Sequence, residues 1–413
     1  MAVKNLRCMD CKSSFRVQLL YNCPHCGGIL DVEYDYRHLT REDVFFQPGK
    51  GLWRFNKILP LMDATDKISL GEGNTPLLEC PKIANYLGAK SLYVKDETRN
   101  PTGSFKDRPV PVAISQIKSY EKPLVITSSS GNAGAAVAAY AARSGLKCLI
   151  VAPNTAPENK LLQILAYGAT LIRTNVSPSD CFMIVREISL EYQVANVITT
   201  FLNPFATEGN KTLAYEIFEQ LPETESIWIV IPVGVGPLLY GCFKGYRELR
   251  KLGLISFLPK MAGIQAKGCE PIVKAFESGS KTVEPWGSCQ TIASGLADPL
   301  DGYVQDGDLT LNTIRESNGA ALSVDDDALL ESVLILGKTA GIFAEPSAAA
   351  SIAGAKELIS RGIIKQNDTV VCIVTGSGFK EIGAIQEKIK MTGKIVSADI
   401  NDLKHIIQTE LEQ

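Results

Sequence analysis

The chain has 413 residues, a formal net charge of −3, 45% hydrophobic residues and 21% charged residues. That length can hold more than one domain with a buried core. The small net charge argues against a broad nucleic-acid surface, and no apolar run reaches the length of a membrane span.

The first residues, MAVKNLRCMDCK, lack the apolar stretch of a signal peptide, so a cytoplasmic protein is expected. Two CxxC knuckles follow, Cys8-Met-Asp-Cys11 and Cys23-Pro-His-Cys26. Four thiolates at this spacing can close one tetrahedral zinc site, and Gly27-Gly28 permits a tight turn after the second knuckle. One CxxC alone could serve as a redox pair, but two matched knuckles favour structural zinc. His25, inside the second knuckle, reads as a bystander. Residues 1–38 are expected to form a small ribbon, with too few basic and aromatic residues to argue for nucleic acid. The other cysteines, Cys80, Cys148, Cys181, Cys242, Cys269, Cys289 and Cys372, are scattered singly. Several of them lie in apolar strands and read as small core residues, and the scattered, odd total does not suggest a disulfide framework.

GEGNTPL at Gly71–Leu77 is turn-rich. KDETRNPTGSFKDR, from Lys95 to Arg108, then sets Lys106 just after a Gly-Ser turn where a helix is expected to start. Ser104 is the candidate N-cap, Asp107 suits the first turn, and Phe105 can shield the amine. A lysine in a partly desolvated place loses its charge more easily and can form an imine. Taken alone, the stretch reads rather as an ordinary capped helix start with a solvated lysine.

Short β-branched runs then alternate with helical patterns. LVIT (124–127) leads through SSSGN into an alanine-rich helix; KCLIVA (147–152), a helix around Glu158–Tyr167 and ATLIRT (169–174) follow. A second series runs from IWIVIPV (227–233) through a helix at 237–250 to MAGIQA (261–266), and closes with TVVCIVTG (369–376). Such alternation predicts parallel sheets with right-handed crossovers, arranged as two α/β lobes with a cleft between them. VITSSSGN, VIPVGVGP and IVTGSG share one grammar, a buried strand, a Gly/Ser turn and a helix, which suits anions at strand ends and helix N-termini. Residues 399–411 read as an amphipathic helix that packs on its own lobe or serves an oligomer contact. No GxGxxG lies in a unit suited to a nicotinamide cofactor.

NPTGSFKDR resembles the cofactor-lysine motif of the threonine synthase family, among the fold type II pyridoxal-phosphate (PLP) enzymes. SLGEGNTPL, SSSGNAGAAVAAYAARSG, PVGVGPL, GIFAEPSAAAS and TGSGFKE resemble that family in the same order. The resemblance implies a fold type II α/β enzyme with the ribbon as an N-terminal addition. The larger lobe is expected at 39–92 and 209–395, the smaller at 93–208, and a C-terminal tail at 396–413. It implies that Lys106 carries PLP as a Schiff base and that Gly234, Val235, Gly236 and Leu238 cradle its phosphate. Pro237 stands there in place of a residue with an N–H. By the same resemblance Thr375 meets the pyridine nitrogen, Asn132 lies near the ring oxygen, and Ser129, Ser130 and Gly131 receive the substrate carboxylate.

In that family the segment matching TTFLNPFATEGNKT supplies an arginine and small polar residues to the substrate phosphate. Phe201 and Ala206 stand at those positions here, which weighs against phosphohomoserine and makes the subsite more apolar. The expected activity is elimination or replacement on a small amino acid. Threonine synthase is the nearest named activity. The alternatives are β-replacement of the cysteate or cysteine synthase type, or an ammonia-lyase acting on diaminopropionate or serine. A non-catalytic scaffold is weighed against by the intact Lys106 and Asn132. A homodimer is implied.

Overall fold

The computed structural model describes residues 3–47, 49–61, 67–154, 156, 158–198, 200–224, 226–386 and 400–411. Its strands are β1 (Val3–Cys8), β2 (Ser14–Phe15), β3 (Leu30–Tyr34), β4 (Leu77–Glu79), β5 (Ser91–Asp96), β6 (Leu124–Ser128), β7 (Lys147–Pro153), β8 (Thr170–Thr174), β9 (Ala195–Asn196), β10 (Ile227–Pro232), β11 (Lys260–Ala266), β12 (Ala320–Val324) and β13 (Thr369–Val374). They form a three-stranded antiparallel ribbon, β2-β1-β3, and two larger sheets. One is ordered β12-β11-β10-β13-β5-β4, the other β8-β7-β6-β9. Within the larger sheets every pairing is parallel except β4 against β5.

Helices cover both faces of the six-stranded sheet, so its central strands can be apolar at every position. β10 and β13 are buried along their whole length. β12, AALSV, was not anticipated; it is short and extends the sheet at the edge beyond β11. β5 begins before the expected lobe boundary at residue 93 and pairs with β13 from Ser91 to Asp96, so residues 93–96 lie in the larger sheet.

Behind β5 lies a buried charge network. Arg108 spans Glu97 and Glu216 with four N–H···O contacts of 2.6–2.9 Å, and Lys95 reaches Glu216 at 2.8 Å. Two cations and two carboxylates balance, and all four side chains are fully buried. Glu216 also accepts from the backbone N–H of Asn74 at 2.7 Å, so the GEGNTPL loop is tied to this network rather than free.

The ribbon is not a separate module. Leu6, Cys8, Cys23, Leu30, Val32 and Tyr34 share one apolar cluster with Phe205 of the body. Lys244 bridges Asp31 of β3 at 2.6 Å and Glu208 of the body, and Tyr34 donates to Glu208 at 2.6 Å.

Two expectations are corrected. The scattered cysteines did not suggest disulfides, but Cys269 and Cys289 form one. Gly268 makes this possible, because a Cβ there would collide with the Gln290 carbonyl, and without one the two segments hydrogen-bond directly (Gln290 N–H to Gly268 O, 3.0 Å). The C-terminal helix is present at Ile400–Leu411, but Ile400, Leu403 and Ile407 on its apolar face are exposed rather than packed on a lobe. Asp399 lies outside the described residues. No described helix is long and apolar enough to cross a membrane.

Candidate active site

Lys106 sits on a single 3₁₀ turn, Phe105–Asp107, that leads into the helix Pro109–Ser119. Ser104 caps this turn, accepting from the Lys106 N–H at 3.4 Å. The Phe105 N–H bonds the Thr375 carbonyl at 2.9 Å, which fixes the lysine turn to the end of β13. Asp107 accepts from the backbone N–H and hydroxyl of Thr102 at 2.7 and 2.8 Å. Its role is to close the TGSFKD loop, and burial pushes its carboxyl up to about 7 against those hydrogen bonds. The Lys106 ammonium lies 4.8 Å from the Phe105 ring centre. Burial lowers its pKa to about 8, and the Asp298 charge works in the opposite direction.

Three strand-end loops converge on this lysine. The Ser128–Asn132 turn follows β6 and opens the helix Asn132–Ser144. The Gly234–Gly236 turn follows β10 and opens the helix Pro237–Lys251. Thr375 follows β13. They border a cavity of about 290 Å³, and Lys106, Ser129, Ser130, Gly131, Asn132, Gly234, Val235, Gly236, Leu238 and Thr375 all line it. Gly236 has φ +118°, and a Cβ there would strike Thr310 at 2.1 Å, so this turn requires glycine. Pro237 occupies the first helical position, where no intrahelical bond needs its missing N–H. A Cβ on Gly131 would meet nothing, which leaves its backbone open to a ligand.

Glu345, within the stretch GIFAEPSAAAS, precedes a proline as at many helix openings. It is buried in the cavity wall, accepts from the Asn132 amide at 2.8 Å, and its second oxygen has no hydrogen-bond partner. Burial, reinforced by the Glu381 charge, pushes its carboxyl up to about 7. The Asn132 carbonyl oxygen is also unpaired and buried. Asp298 and Tyr303 line the same cavity and had no sequence signal, since loop residues reach it only through the tertiary fold.

The expectation for Phe201 is not met. Its ring is buried edge-on against Tyr240, 5.7 Å away, and Thr200 rather than Phe201 borders the cavity. Ala206 is buried in the apolar cluster of the four-stranded sheet.

A phosphorylated, ring-bearing cofactor fits these residues. A helix N-terminus with a tight glycine turn suits the phosphate, two unpaired buried polar atoms suit ring substituents, and a weakly basic lysine suits covalent attachment. At the ribbon, the Cys8, Cys11, Cys23 and Cys26 sulfurs lie within 4.8 Å of one another, close enough for one metal ion. A Cβ on Gly28 would displace the exposed Asp10 carboxylate and press on the Cys8 sulfur. His25 packs on Phe15 and meets Ser13, outside the thiol group.

Residues 68–376 match the model of the family described as pyridoxal-phosphate dependent enzymes. The chain is 37% identical to the threonine synthase of Methanocaldococcus jannaschii, over 97% of this chain and 99% of that one. It is 34% identical to the threonine synthase of Methanosarcina acetivorans, over 98% of each. Among solved structures it resembles maize serine racemase, with a TM-score of 0.64 and 23% identity over 82% of this chain and 92% of that one. Diaminopropionate ammonia lyase from Escherichia coli gives a TM-score of 0.64 at 21% identity, over 83% and 95%. These two establish the fold type II architecture alone. With a family match across most of its length and full-length relatives above 30% identity, the chain belongs to the threonine synthase family of PLP-dependent enzymes.

Proposed function

We propose that this member of the family performs an elimination or replacement on a small amino acid bound in the cavity around Lys106. The observation that carries the reading is a lysine of reduced basicity facing three strand-end loops in one enclosed space. When bound, PLP supplies an electron sink that makes the α-proton of an attached amino acid removable. Lys106 would hold the cofactor covalently and, once displaced by substrate, its amine would take the α-proton. Backbone N–H groups at Gly234, Val235, Gly236 and Leu238 would hold the phosphate. Thr375 would face the ring nitrogen and Asn132 the ring oxygen; Ser129, Ser130 and Gly131 would orient the substrate carboxylate. Glu345, paired with Asn132, would fix the side chain of that residue.

The same reading takes the two larger sheets as the cores of two lobes with the cavity between them, with β5 assigned to the larger lobe. The four thiolates would hold one structural zinc ion, and the chain would act as a cytoplasmic homodimer. A second reading, β-replacement or ammonia release from a three-carbon amino acid, is favoured by one observation: no arginine is among the described residues that line the cavity.

Replacing Lys106 by alanine should abolish both the absorbance band of the bound cofactor and turnover. An active Lys106→Ala protein would overturn the assignment.

A further inference from the structure

We propose that Cys269 and Cys289 are a thiol–disulfide modification site: a clip that a dithiol reductant opens and that, when closed, fixes one wall of the cavity. Its effect on PLP rests on Lys106 holding that cofactor.

Between the helices Pro271–Glu277 and Val304–Glu316 the chain forms no helix or strand. Irregular segments of this length are uncommon inside a compact body and need ties from outside themselves. This one also has an exacting place. Ser294, Gly295, Leu296 and Asp298 line the cavity. A Cβ on Gly234 would meet the Gly295 carbonyl oxygen at 3.0 Å, so the segment lies directly on the glycine turn.

The segment is tied on both sides of the clip. Downstream, the Thr291 hydroxyl and the Ile292 N–H donate to Asp326 at 2.5 and 3.1 Å, and the Gly295 N–H donates to the Ser347 hydroxyl at 3.0 Å. Upstream, the Gly268 carbonyl accepts from the Trp286 indole N–H at 2.9 Å and from the Gln290 N–H at 3.0 Å. The Cys269–Cys289 bond adds a covalent tie at that same point. Gly268 follows β11, whose Gln265 amide donates to the Gly234 carbonyl at 3.2 Å. The clip therefore joins the wall segment to the strand that backs the glycine turn. A cross-link across a sequence separation of 20 takes freedom from the segment whenever it opens.

The two sulfurs differ in access. Cys269 is fully buried, whereas Cys289 is half-buried on the loop. A reductant thiolate reaches the Cys289 sulfur first. A bond forms there, the S–S bond breaks, and the Cys269 sulfur leaves with the electron pair and takes up a proton. The second thiol of the dithiol then displaces Cys289. The protein ends with two thiols and the reductant becomes a disulfide. The single cysteines of the body, Cys80, Cys148, Cys181, Cys242 and Cys372, are all buried, which directs exchange to this pair. In the cytoplasmic setting proposed above, thiol pools keep most cysteines reduced, so such a bond is switched rather than permanent.

The test equilibrates the PLP-loaded protein with mixtures of oxidised and reduced dithiothreitol. Alkylation and mass spectrometry read the state of Cys269 and Cys289. Two responses are then followed: retention of the cofactor absorbance on dilution, and tryptic cleavage after Lys281, the one basic residue between Glu277 and Val304. Reduction should speed the cleavage at least about tenfold and PLP loss at least about threefold. The double variant Cys269→Ala/Cys289→Ala keeps the ribbon thiols and should behave as the reduced protein in every mixture. If it folds poorly, Cys289→Ser, at the half-buried position, serves the same comparison. Free thiols at both positions in the fully oxidised mixture would overturn the proposal, as would cleavage or PLP retention that is equal in the two states. A dithiothreitol effect of the same size in the double variant would place the switch at the ribbon and overturn it too. A cleavage difference in a protein that shows no cofactor band would uphold the clip and overturn the cofactor reading instead.

Discussion

A lysine that must lose its proton near neutral pH needs either a low-dielectric site or a neighbouring cation. Lys106 has the first, provided by Phe105 and the enclosing loops, while Asp298 partly offsets it. The sign follows from the lowered pKa. Below about pH 8 the buried ammonium destabilises the folded protein, and that cost falls as pH rises from about 8 and is gone above the unfolded value of 10.5. Only the neutral amine attacks an aldehyde. Capture of PLP by the apoprotein should therefore accelerate about tenfold per pH unit below about pH 8 and level off above it. Stopped-flow absorbance across pH 6 to about 10 checks this; a midpoint near the ordinary lysine value would mean that the burial is not felt.

Among the elements, β5 and the helix Thr212–Gln220 are joined through charges that meet no water. Burial alone would raise the pKa of Glu216, but the Arg108 and Lys95 charges outweigh it and hold the carboxyl well below its usual range. A depressed carboxylate contributes stability that is present above its unfolded pKa, near 4.5, and is lost as pH falls toward the folded value. Glu216→Gln leaves two buried cations facing one carboxylate and should cost about 3–5 kcal/mol in urea unfolding at neutral pH. Below about pH 4 the gap to the unaltered protein should narrow, because acid removes the same charge. A loss under about 1 kcal/mol would mean the network is screened by water.

Across the whole molecule, the ribbon is a buttress. β3 binds the body through Lys244, Glu208 and Tyr34, and Tyr36 donates to Glu248 at 2.7 Å. Lys244 and Glu248 lie on the helix Pro237–Lys251, which the Gly234–Gly236 turn opens, and Glu208 lies on the helix Pro204–Asn210. A metal ion held by the four sulfurs would fix β1 against the turn before β3, so its loss should reach the cavity. Chelation should release about one zinc ion per chain and lower the melting temperature. It should also weaken PLP retention. Metal release with unchanged melting and cofactor affinity would mean that the ribbon stands on its apolar cluster alone.

The sequence by itself determined the elements whose physics is local. Paired CxxC knuckles brought four sulfurs together because each knuckle is a short turn. Fully apolar runs such as IWIVIP became central parallel strands because only a strand covered on both faces tolerates them. The three strand–turn–helix units converged on one cavity because parallel strands present their carboxyl ends on the same side. Tertiary structure alone decided contacts between residues far apart in the chain. Glu345 became a cavity residue by meeting Asn132 across 213 positions. Phe201 turned into the core because Tyr240 offered its ring a partner, leaving Thr200 at the wall. Cys269 met Cys289 because Gly268 lets two backbones touch. Asp298, Tyr303 and Thr200 line one cavity only once the loops carrying them are folded against each other, and no local pattern encodes that meeting.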